Sequence, residues 1–196
     1  MKGFFIVTVA LAASFSSANL IVNGSFETPV ISAGFQTVLA GSGALTGWTV
    51  GGTSIDIVSQ VFFPTYPARD GNQSIDLSGT PGPGDISQSF ATSIGQFYNV
   101  YFSGSTNSGS NSMQVFLNGG LLYTITTPPQ GTWVDYGYMF QASSTTSSIG
   151  FGSLFTGNAG PMVDRVIVER AVPEPASVVV LALGAGLLAR RRRKVA

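Results

Sequence analysis

The chain has 196 residues, of which 44% are hydrophobic and only 9% are charged, and its nine basic and nine acidic residues give a formal net charge of zero. It contains neither cysteine nor histidine, which excludes disulfides, zinc sites built on thiolate or imidazole, cysteine nucleophiles and any Ser-His-Asp triad. The only lysines are Lys2 and Lys194, so the interior of the chain has no phosphate-binding or Schiff-base lysine.

The N-terminus has the three parts of a secretory signal peptide: a positive charge, an apolar run and a small-x-small cleavage site. These parts are Lys2, residues 4–13, and the pair Ser16 and Ala18. We therefore predict a signal peptide over residues 1–18, carried by the Sec translocon and removed by signal peptidase. The alternative interpretation is a buried N-terminal strand.

From residue 19 to residue 171 the chain is a series of short strand patterns separated by turn signals. The predicted strands, which alternate polar with apolar residues or are rich in aromatic and branched ones, are 54–58, 73–77, 85–90, 98–102, 113–117, 121–126, 133–140, 148–151 and 163–168. Asn118-Gly119 between two apolar runs predicts a tight hairpin. Because no window here has a helical period, we predict one all-β domain over 19–171, a jelly-roll β-sandwich.

The charge of this segment differs from that of the whole chain. Residues 19–171 contain three arginines and eight acidic residues, a formal charge of −5. An acidic domain without a basic patch is a poor partner for nucleic acid, which we exclude, and is better suited to neutral ligands or cations.

Three aromatic residues differ from the others because they lie in a Pro-flanked stretch between strands. Phe62, Phe63 and Tyr66 are the predicted ligand-binding residues, since exposed aromatic rings on a rigid loop can stack on sugars. The alternative is a loop that only covers one end of the sandwich. The remaining aromatics singled out lie in strand patterns and are predicted to be core: Trp48, Tyr98, Phe102, Trp133, Tyr136, Tyr138 and Phe140.

Carboxylates are the main acid–base groups left for catalysis in this segment. A glycosidase needs two of them on either side of the scissile bond, about 5–9.5 Å apart. Asp56, Asp76 and Asp85 are the candidates, but alternation within their strands predicts solvent-facing side chains between buried Ile and Leu residues. We therefore predict no catalytic residues and keep a carboxylate-based glycosidase only as an alternative.

The C-terminal segment, 172–196, has three parts in a fixed order. They are the motif Pro173, Glu174 and Pro175, an uncharged apolar run over 176–189, and a basic cluster of Arg190, Arg191, Arg192, Arg193 and Lys194. As a helix the apolar run would be about 21 Å long at 1.5 Å per residue, which is short for a bilayer core of about 30 Å. We predict a short transmembrane helix with its C-terminus in the cytoplasm, because positive charges stay on that side.

This C-terminal order resembles the PEP-CTERM sorting signal of Gram-negative bacteria. The resemblance implies recognition by an exosortase, a membrane enzyme similar to cysteine transpeptidases, with cleavage near the Pro-Glu-Pro motif. It also implies an exported protein that is held briefly in the inner membrane and then reaches the cell surface or the extracellular polysaccharide. The alternative is a plain C-terminal anchor.

The body of the chain also resembles a known family. The opening segment 19–27, the motif 47–50, segments 70–77 and 86–90, and the closing segment 160–168 occur in the order found in the choice-of-anchor C / DUF642-like family. The resemblance implies a galactose-binding-like fold, similar to many carbohydrate-binding modules. The segment 61–67 departs from the family's pattern.

A calcium site is implied by the similarity to carbohydrate-binding folds. Glu27 follows the first strand and Asp164 lies in the last, and jelly rolls bring these two strands together. With carbonyls near Asp70 and Gly71, these carboxylates are the oxygen ligands that calcium prefers. We expect a structural calcium ion as the one cofactor. The alternative is that Glu27 caps a turn and Asp164 pairs with Arg165 or Arg69.

These predictions favour a secreted, exosortase-sorted protein of the cell surface or extracellular matrix without enzymatic activity. The first alternative is a carbohydrate-binding module for a neutral glycan, with extracellular polysaccharide as the partner, and the second is the glycosidase. Saturable sugar binding distinguishes the first two functions, and release of reducing ends detects the third.

Overall fold

Eleven strands make up the folded part of the chain in a computed structural model, which describes residues 18–109 and 111–171. In chain order the strands are β1 (Phe35–Leu39), β2 (Thr49–Gly52), β3 (Ser54–Ser59), β4 (Gln73–Asp76), β5 (Gly84–Ala91), β6 (Phe97–Thr106), β7 (Ser112–Leu117), β8 (Gly120–Thr126), β9 (Val134–Gln141), β10 (Thr146–Ser153) and β11 (Pro161–Arg170). Within these two ranges no helix is long and apolar enough to cross a membrane. The predicted signal peptide, sorting motif and transmembrane helix lie outside the described residues.

The strands form the predicted β-sandwich. One antiparallel sheet has six strands in the order β1-β3-β4-β11-β6-β9, and the other has five in the order β2-β5-β10-β7-β8. Every strand predicted from the sequence overlaps an observed strand, whereas β1 and β2 were not predicted. The Asn118-Gly119 hairpin joins β7 to β8, and both of its residues have the positive φ that a tight turn of this kind requires. The all-β jelly-roll prediction is therefore confirmed.

Alternation along the strands builds one apolar core between the two sheets. Ile55 and Ile57 of β3 in the six-stranded sheet, and Ile149 and Phe151 of β10 in the five-stranded sheet, are fully buried. Phe102 packs edge-on against Phe151 with 4.9 Å between the ring centroids. Each such side chain contributes about 1.5–3 kcal/mol by leaving water. The inner faces thus hold the sheets together, and the outer faces are left for loops and ligands.

The aromatic residues predicted to be core divide into two groups. Most of them lie in the core or pack against it: Trp48, Tyr98, Phe102, Tyr136, Tyr138 and Phe140. Trp133 is half-buried, and its indole Nε1 donates a hydrogen bond to the carbonyl of Pro67 at 2.8 Å. Trp133 therefore fixes the loop between β3 and β4 rather than filling the core.

The prediction that Asp56 and Asp76 face solvent is wrong. They lie opposite each other on β3 and β4, on the outer face of the six-stranded sheet, yet they are only 6% and 0% exposed. Loops cover this face, and the backbone N–H of Gly160 and the side-chain Nδ2 of Asn107 donate to Asp76 at 3.0 and 2.6 Å. Alternation identifies the face on which a side chain lies but not what covers that face.

The buried carboxyl of Asp76 predicts that stability depends on pH. Burial raises its pKa from 3.8 to about 7. Because the folded pKa is above the unfolded one, this group contributes stability that is fully present below about pH 4 and is lost as the pH rises through about 7. From this group alone we expect the free energy of unfolding, measured with urea, to fall by on the order of 2 kcal/mol between about pH 5 and pH 8.

Asp76→Asn provides the comparison, because the amide stays uncharged over this range. Burial also raises the pKa of Asp164 to about 7, which contributes in the same direction. The variant should therefore lose part of the slope of stability against pH but not all of it. Equal slopes in the variant and the wild type would contradict the assignment to Asp76.

Candidate functional site

A groove crosses the outer face of the five-stranded sheet. On β10, Ile149 and Phe151 face the core, so Gly150 and Gly152 face outward at the alternate positions. With no side chains at these two positions, the middle of the sheet is lower than its sides. A cavity of about 460 Å³ lies above them.

The sides of this groove come from the neighbouring strands β5 and β7. Asp85 and Ser87 lie opposite the two glycines on β5, and Gln114 and Phe116 lie opposite them on β7. We call this site the sheet groove, and its outward strand residues are Asp85, Ser87, Gln114, Phe116, Ser148, Gly150 and Gly152. The sheet groove therefore combines one aromatic ring with several hydrogen-bonding side chains above a flat floor.

The backbone does not require the two floor glycines. Neither Gly150 nor Gly152 has a positive φ, and a Cβ on either would come no closer than 3.3 Å to a neighbouring atom. At Gly84, by contrast, a Cβ would collide with the carbonyl of Ser54. Glycine at 84 serves close packing, whereas the effect of glycine at 150 and 152 is to keep the floor open.

The sheet groove continues at one end into a shallower polar pocket of about 330 Å³. Its lining residues, which include Ser148 of the sheet groove, all carry uncharged hydroxyl or amide side chains: Ser89, Asn118, Ser143, Ser144, Thr146, Ser147 and Ser148. Hydroxyls both donate and accept hydrogen bonds. The extension therefore lengthens the site without adding charge.

The five-stranded sheet is nearly free of charge. Asp85 is the one charged residue among its five strands, and burial raises the pKa of that carboxyl. The sequence reasoning did not find the sheet groove. The signal was nevertheless present, because glycines alternate with large apolar residues over 149–152.

The predicted ligand-binding aromatics lie in the loop between β3 and β4, and only two of them join a cluster. Phe63 stacks on Phe35 of β1 with 6.3 Å between the ring centroids. It also contacts Tyr66 edge-on, with 5.8 Å between the ring centroids and an interplanar angle of 70°. Phe62 is half-exposed and makes no ring contact with the described residues. Phe35, which β1 contributes, was not predicted.

A cavity of about 370 Å³ lies beside this cluster, and we call it the aromatic pocket. Its lining residues are Phe35, Asp56, Val58, Phe63, Thr65, Tyr66, Thr80, Asn107, Asn158 and Ala159. Thr37 donates its hydroxyl to Oδ1 of Asp56 at 2.6 Å. Burial raises the pKa of the Asp56 carboxyl, although this hydrogen bond by itself lowers that pKa. The aromatic pocket thus joins aromatic walls to one nearly buried carboxylate.

Glu27, one of the carboxylates predicted to bind calcium, lies against the loop 69–73. Its Oε1 accepts backbone hydrogen bonds from Asn72 at 2.8 Å and from Gln73 at 2.7 Å. Gly71 has a φ of +74°, and a Cβ there would lie 2.6 Å from Cδ of Glu27. Glu27 therefore caps a turn of this loop, and a glycine is needed where the two meet.

Asp164 holds the same loop from the last strand. Its Oδ2 accepts backbone hydrogen bonds from Arg69 at 2.7 Å and Asp70 at 3.0 Å, and its Oδ1 accepts one from Arg165 at 2.6 Å. The guanidinium groups of both arginines pair with Asp135 instead of Asp164. The fold thus gathers all the residues predicted for calcium around one loop: Glu27, Asp70, Gly71 and Asp164.

The donor set around this loop is small for calcium, which takes six to eight oxygens. Among the residues in 18–109 and 111–171, no three acidic, histidine or cysteine side chains are grouped so that they could hold a metal ion. The carbonyl of Gly71 already accepts a hydrogen bond from Nε2 of Gln60 at 2.8 Å. An ion here would depend on backbone carbonyls and on the free lone pairs of two carboxylates. The calcium ion stays a prediction.

Comparison with family models identifies the body of the chain. Residues 19–169 match the family described as "Protein of unknown function (DUF642)". The chain belongs to this family. The resemblance carried by the opening and closing motifs is thereby confirmed, and we call the matched region the DUF642 domain.

The tail that follows the DUF642 domain matches a sorting signal. Residues 171–194 match the PEP-CTERM protein-sorting motif. The match contains all the predicted sorting residues: Pro173, Glu174, Pro175, Arg190, Arg191, Arg192 and Arg193. This motif implies export, processing by an exosortase and sorting to the cell surface.

Individual proteins and solved structures are similar to this chain. The chain is 32% identical over 194 residues to halomucin of Haloquadratum walsbyi, a match that covers 88% of this chain but spans only 2% of halomucin. The solved structure of TmCBM61 in complex with β-1,4-galactotriose has a TM-score of 0.50 and 20% identity, covering 79% of this chain and all of that one. A family 35 carbohydrate-binding module from Clostridium thermocellum has a TM-score of 0.47 and 14% identity, covering 69% and 99%. The first of these two structures shows that the DUF642 domain has the galactose-binding-like fold.

If the loop 69–73 binds calcium, the DUF642 domain should melt at a higher temperature in calcium than in EDTA. An ion that binds only the folded state adds about 2.7 kcal/mol at a hundred times its dissociation constant, which corresponds to about 5 °C or more for a domain of this size. Asp164→Asn should remove the increase, whereas Glu169→Gln, at an acid on β11 outside this loop, should keep it. Identical midpoints in calcium and EDTA would exclude a structural ion.

Proposed function

We propose that the chain is a non-enzymatic surface protein whose DUF642 domain binds a neutral polysaccharide in the sheet groove. The observation that carries this proposal is the cavity lined by Gly150 and Gly152, with polar side chains of β5 on one side and Phe116 on the other. Ligand sites typically combine apolar surface with a few well-placed polar groups. The sheet groove has this composition.

The chemistry of the sheet groove suits a sugar chain. The half-buried ring of Phe116 offers a flat apolar surface for the face of a pyranose. Ser87, Gln114 and Ser148 offer donors and acceptors for its hydroxyls. The polar pocket that shares Ser148 adds further hydroxyls along the same direction. An extended chain would therefore find more partners here than a single ring.

The charge of the domain favours a neutral glycan over an acidic one. Among the residues that the structure describes, the sheet groove offers no cationic side chain for a carboxylate or sulfate group, and it contains the carboxylate of Asp85. The DUF642 segment as a whole carries a formal charge of −5. An acidic polysaccharide would meet repulsion without a compensating ion pair.

The absence of enzymatic activity is part of the proposal. A glycosidase uses two carboxyl groups about 5–9.5 Å apart. Asp85 is the single carboxylate that lines the sheet groove among the described residues. This observation supports a binding role, and it leaves the carboxylate-based glycosidase as the weaker alternative.

The proposed route to the surface follows from the sorting motif. The chain would be exported by the Sec translocon, lose residues 1–18 to signal peptidase and rest in the inner membrane of a Gram-negative bacterium by its C-terminal helix. An exosortase would then cleave near Pro173, Glu174 and Pro175, and the DUF642 domain would reach extracellular polysaccharide. The PEP-CTERM match supports this order of events.

Filling the floor of the sheet groove should abolish binding of a neutral polysaccharide. In Gly152→Val the side chain would occupy the floor, where a Cβ lies 3.3 Å from the ring of Phe116, which would have to shift slightly, and 3.4 Å from Cβ of Asp85. We expect affinity for a panel of neutral polysaccharides, β-1,4-galactan first, to fall at least tenfold, measured by affinity electrophoresis or calorimetry. β-1,4-Galactan is chosen because TmCBM61 is in complex with its trisaccharide.

Gly43→Val is the matched control. Gly43 has no neighbouring atom within 4 Å of a built Cβ and no positive φ, so the same substitution there should change neither fold nor binding. Unchanged affinity in a folded Gly152→Val protein, or no binding of any neutral polysaccharide by the wild type, would contradict the proposed site.

Processing of the tail predicts a mass difference between hosts. Co-expression with an exosortase should release the DUF642 domain from the residues that follow the Pro-Glu-Pro motif, including Arg190–Arg193. Intact mass spectrometry should therefore detect the full tail only in the host without the enzyme. The same tail mass in both hosts would exclude exosortase processing.

A further inference from the structure

The aromatic pocket lies on the outer face of the six-stranded sheet, whereas the sheet groove lies on the outer face of the other sheet. Two of its walls are the rings of Phe63 and Tyr66, which meet at 70°, and Phe35 extends the wall by stacking on Phe63 at an angle of 12°. Phe63 is 41% and Phe35 49% exposed, so aromatic surface remains open. Open aromatic faces at an angle to each other form a partial cage.

The carboxylate of Asp56 belongs to the same pocket and has no positively charged partner among residues 18–109 and 111–171. Asp56 is 6% exposed, and its hydrogen-bond donors, the hydroxyl of Thr37 and the backbone of Thr80, are both neutral. The ion pairs of Arg69 and Arg165 are with Asp135, on the opposite edge strand of the sheet. A nearly buried carboxylate without a counter-ion is stabilised by a cation that binds beside it.

We propose that the aromatic pocket binds an amino sugar through its ammonium group, with Asp56 as the counter-ion and Phe63 and Tyr66 as the aromatic walls. An ammonium group is attracted to the faces of aromatic rings within about 6 Å of their centroids. A carboxylate beside such faces adds a charge-assisted hydrogen bond, which is stronger than a neutral one. The pocket offers both partners at once.

The uncharged groups around the pocket favour a sugar over a lysine side chain. Thr65, Thr80, Asn107 and Asn158 all line it, and the amide of Asn107 keeps its oxygen as an acceptor because its Nδ2 donates to Asp76. A lysine side chain has no hydroxyls with which to use these groups. A cavity of about 370 Å³ is also wide for a single aliphatic chain and suits a ring.

A divalent metal ion fits the same pocket poorly. Calcium requires several anionic or carbonyl oxygens, and Asp56 is the one carboxylate among the described lining residues. A neutral sugar, for its part, would leave the charge of Asp56 unpaired in a desolvated site. An amino sugar with a free amine satisfies both the carboxylate and the aromatic walls.

The aromatic pocket would be a second site, independent of the sheet groove. A domain with one carbohydrate site on each outer face could bind two polysaccharide chains at once, one neutral and one bearing free amines. Such a bivalent domain would join chains of a matrix rather than only adhere to one of them.

The test is calorimetry with a glucosamine hexamer and its fully N-acetylated counterpart, at about pH 6 and low salt. Acetylation removes the ammonium charge and changes little else in the backbone of the oligomer. We expect the glucosamine hexamer to bind at least tenfold more tightly. Asp56→Asn keeps one oxygen as an acceptor for Thr37 while it removes the charge, and it should abolish this preference.

Three matched variants separate the specific site from general attraction to an acidic domain. Glu169→Gln removes the same charge outside both cavities and should keep the preference. Phe63→Ala alters an exposed side chain, so it should leave folding intact and still reduce affinity for the glucosamine hexamer about tenfold or more. Gly152→Val should leave amine binding unchanged, which distinguishes failure of this site from failure of the sheet groove.

Several results would overturn the proposal. Equal affinity for the two hexamers excludes recognition of the ammonium group, and full affinity in folded Asp56→Asn excludes the assigned counter-ion. Binding of a hexalysine peptide as tight as that of the glucosamine hexamer excludes selectivity for a sugar. An equal loss in Glu169→Gln and Asp56→Asn would assign the effect to net charge.

Discussion

The two-residue alternation of β10 is the constraint on which both the core and the sheet groove depend. Phe151 packs on Phe102 inside the sandwich, and Gly150 and Gly152 leave the other side of the same strand empty. Because successive side chains must point to opposite faces, a strand in the middle of a sheet can serve packing and recognition at once. A shift of register by one residue would put the glycines into the core and the phenylalanine into the groove.

The six-stranded sheet uses its outer face differently. Here carboxylates on neighbouring strands accept hydrogen bonds from loop backbones, as Asp76 does from Gly160 and Asp164 does from Arg69 and Asp70. The acidic character of this side is therefore largely structural, because it holds irregular segments against a sheet. Asp56 differs, since it lines a cavity in addition to accepting a backbone hydrogen bond from Thr80.

The sequence predicted what local patterns determine, and it missed what non-local contacts determine. Alternation located the strands with strong apolar periods, but not β1 and β2, which are short edge strands, one of them ending in two glycines. The same patterns placed Asp56 and Asp76 on the outer face correctly and judged their exposure wrongly, because the covering loops come from distant parts of the chain. Phe35 contacts Phe63 because β1 pairs with β3, and local sequence patterns do not predict which strands pair. The sheet groove was not predicted because a glycine inside a strand is usually taken to weaken that strand, not to form the floor of a cavity.

The segregation of charge between the two sheets has a consequence for the environments in which the domain can work. Asp85 is the one charged residue in the strands of the five-stranded sheet. Dissolved salt, which screens interactions between charges, should therefore have little effect on binding there. Contacts on that side should persist from fresh water to brine, whereas attraction of amines on the other side should weaken as salinity rises. A domain with both proposed sites would then keep the neutral chain over a wide range of salinity and release the amine-bearing chain as salinity rises.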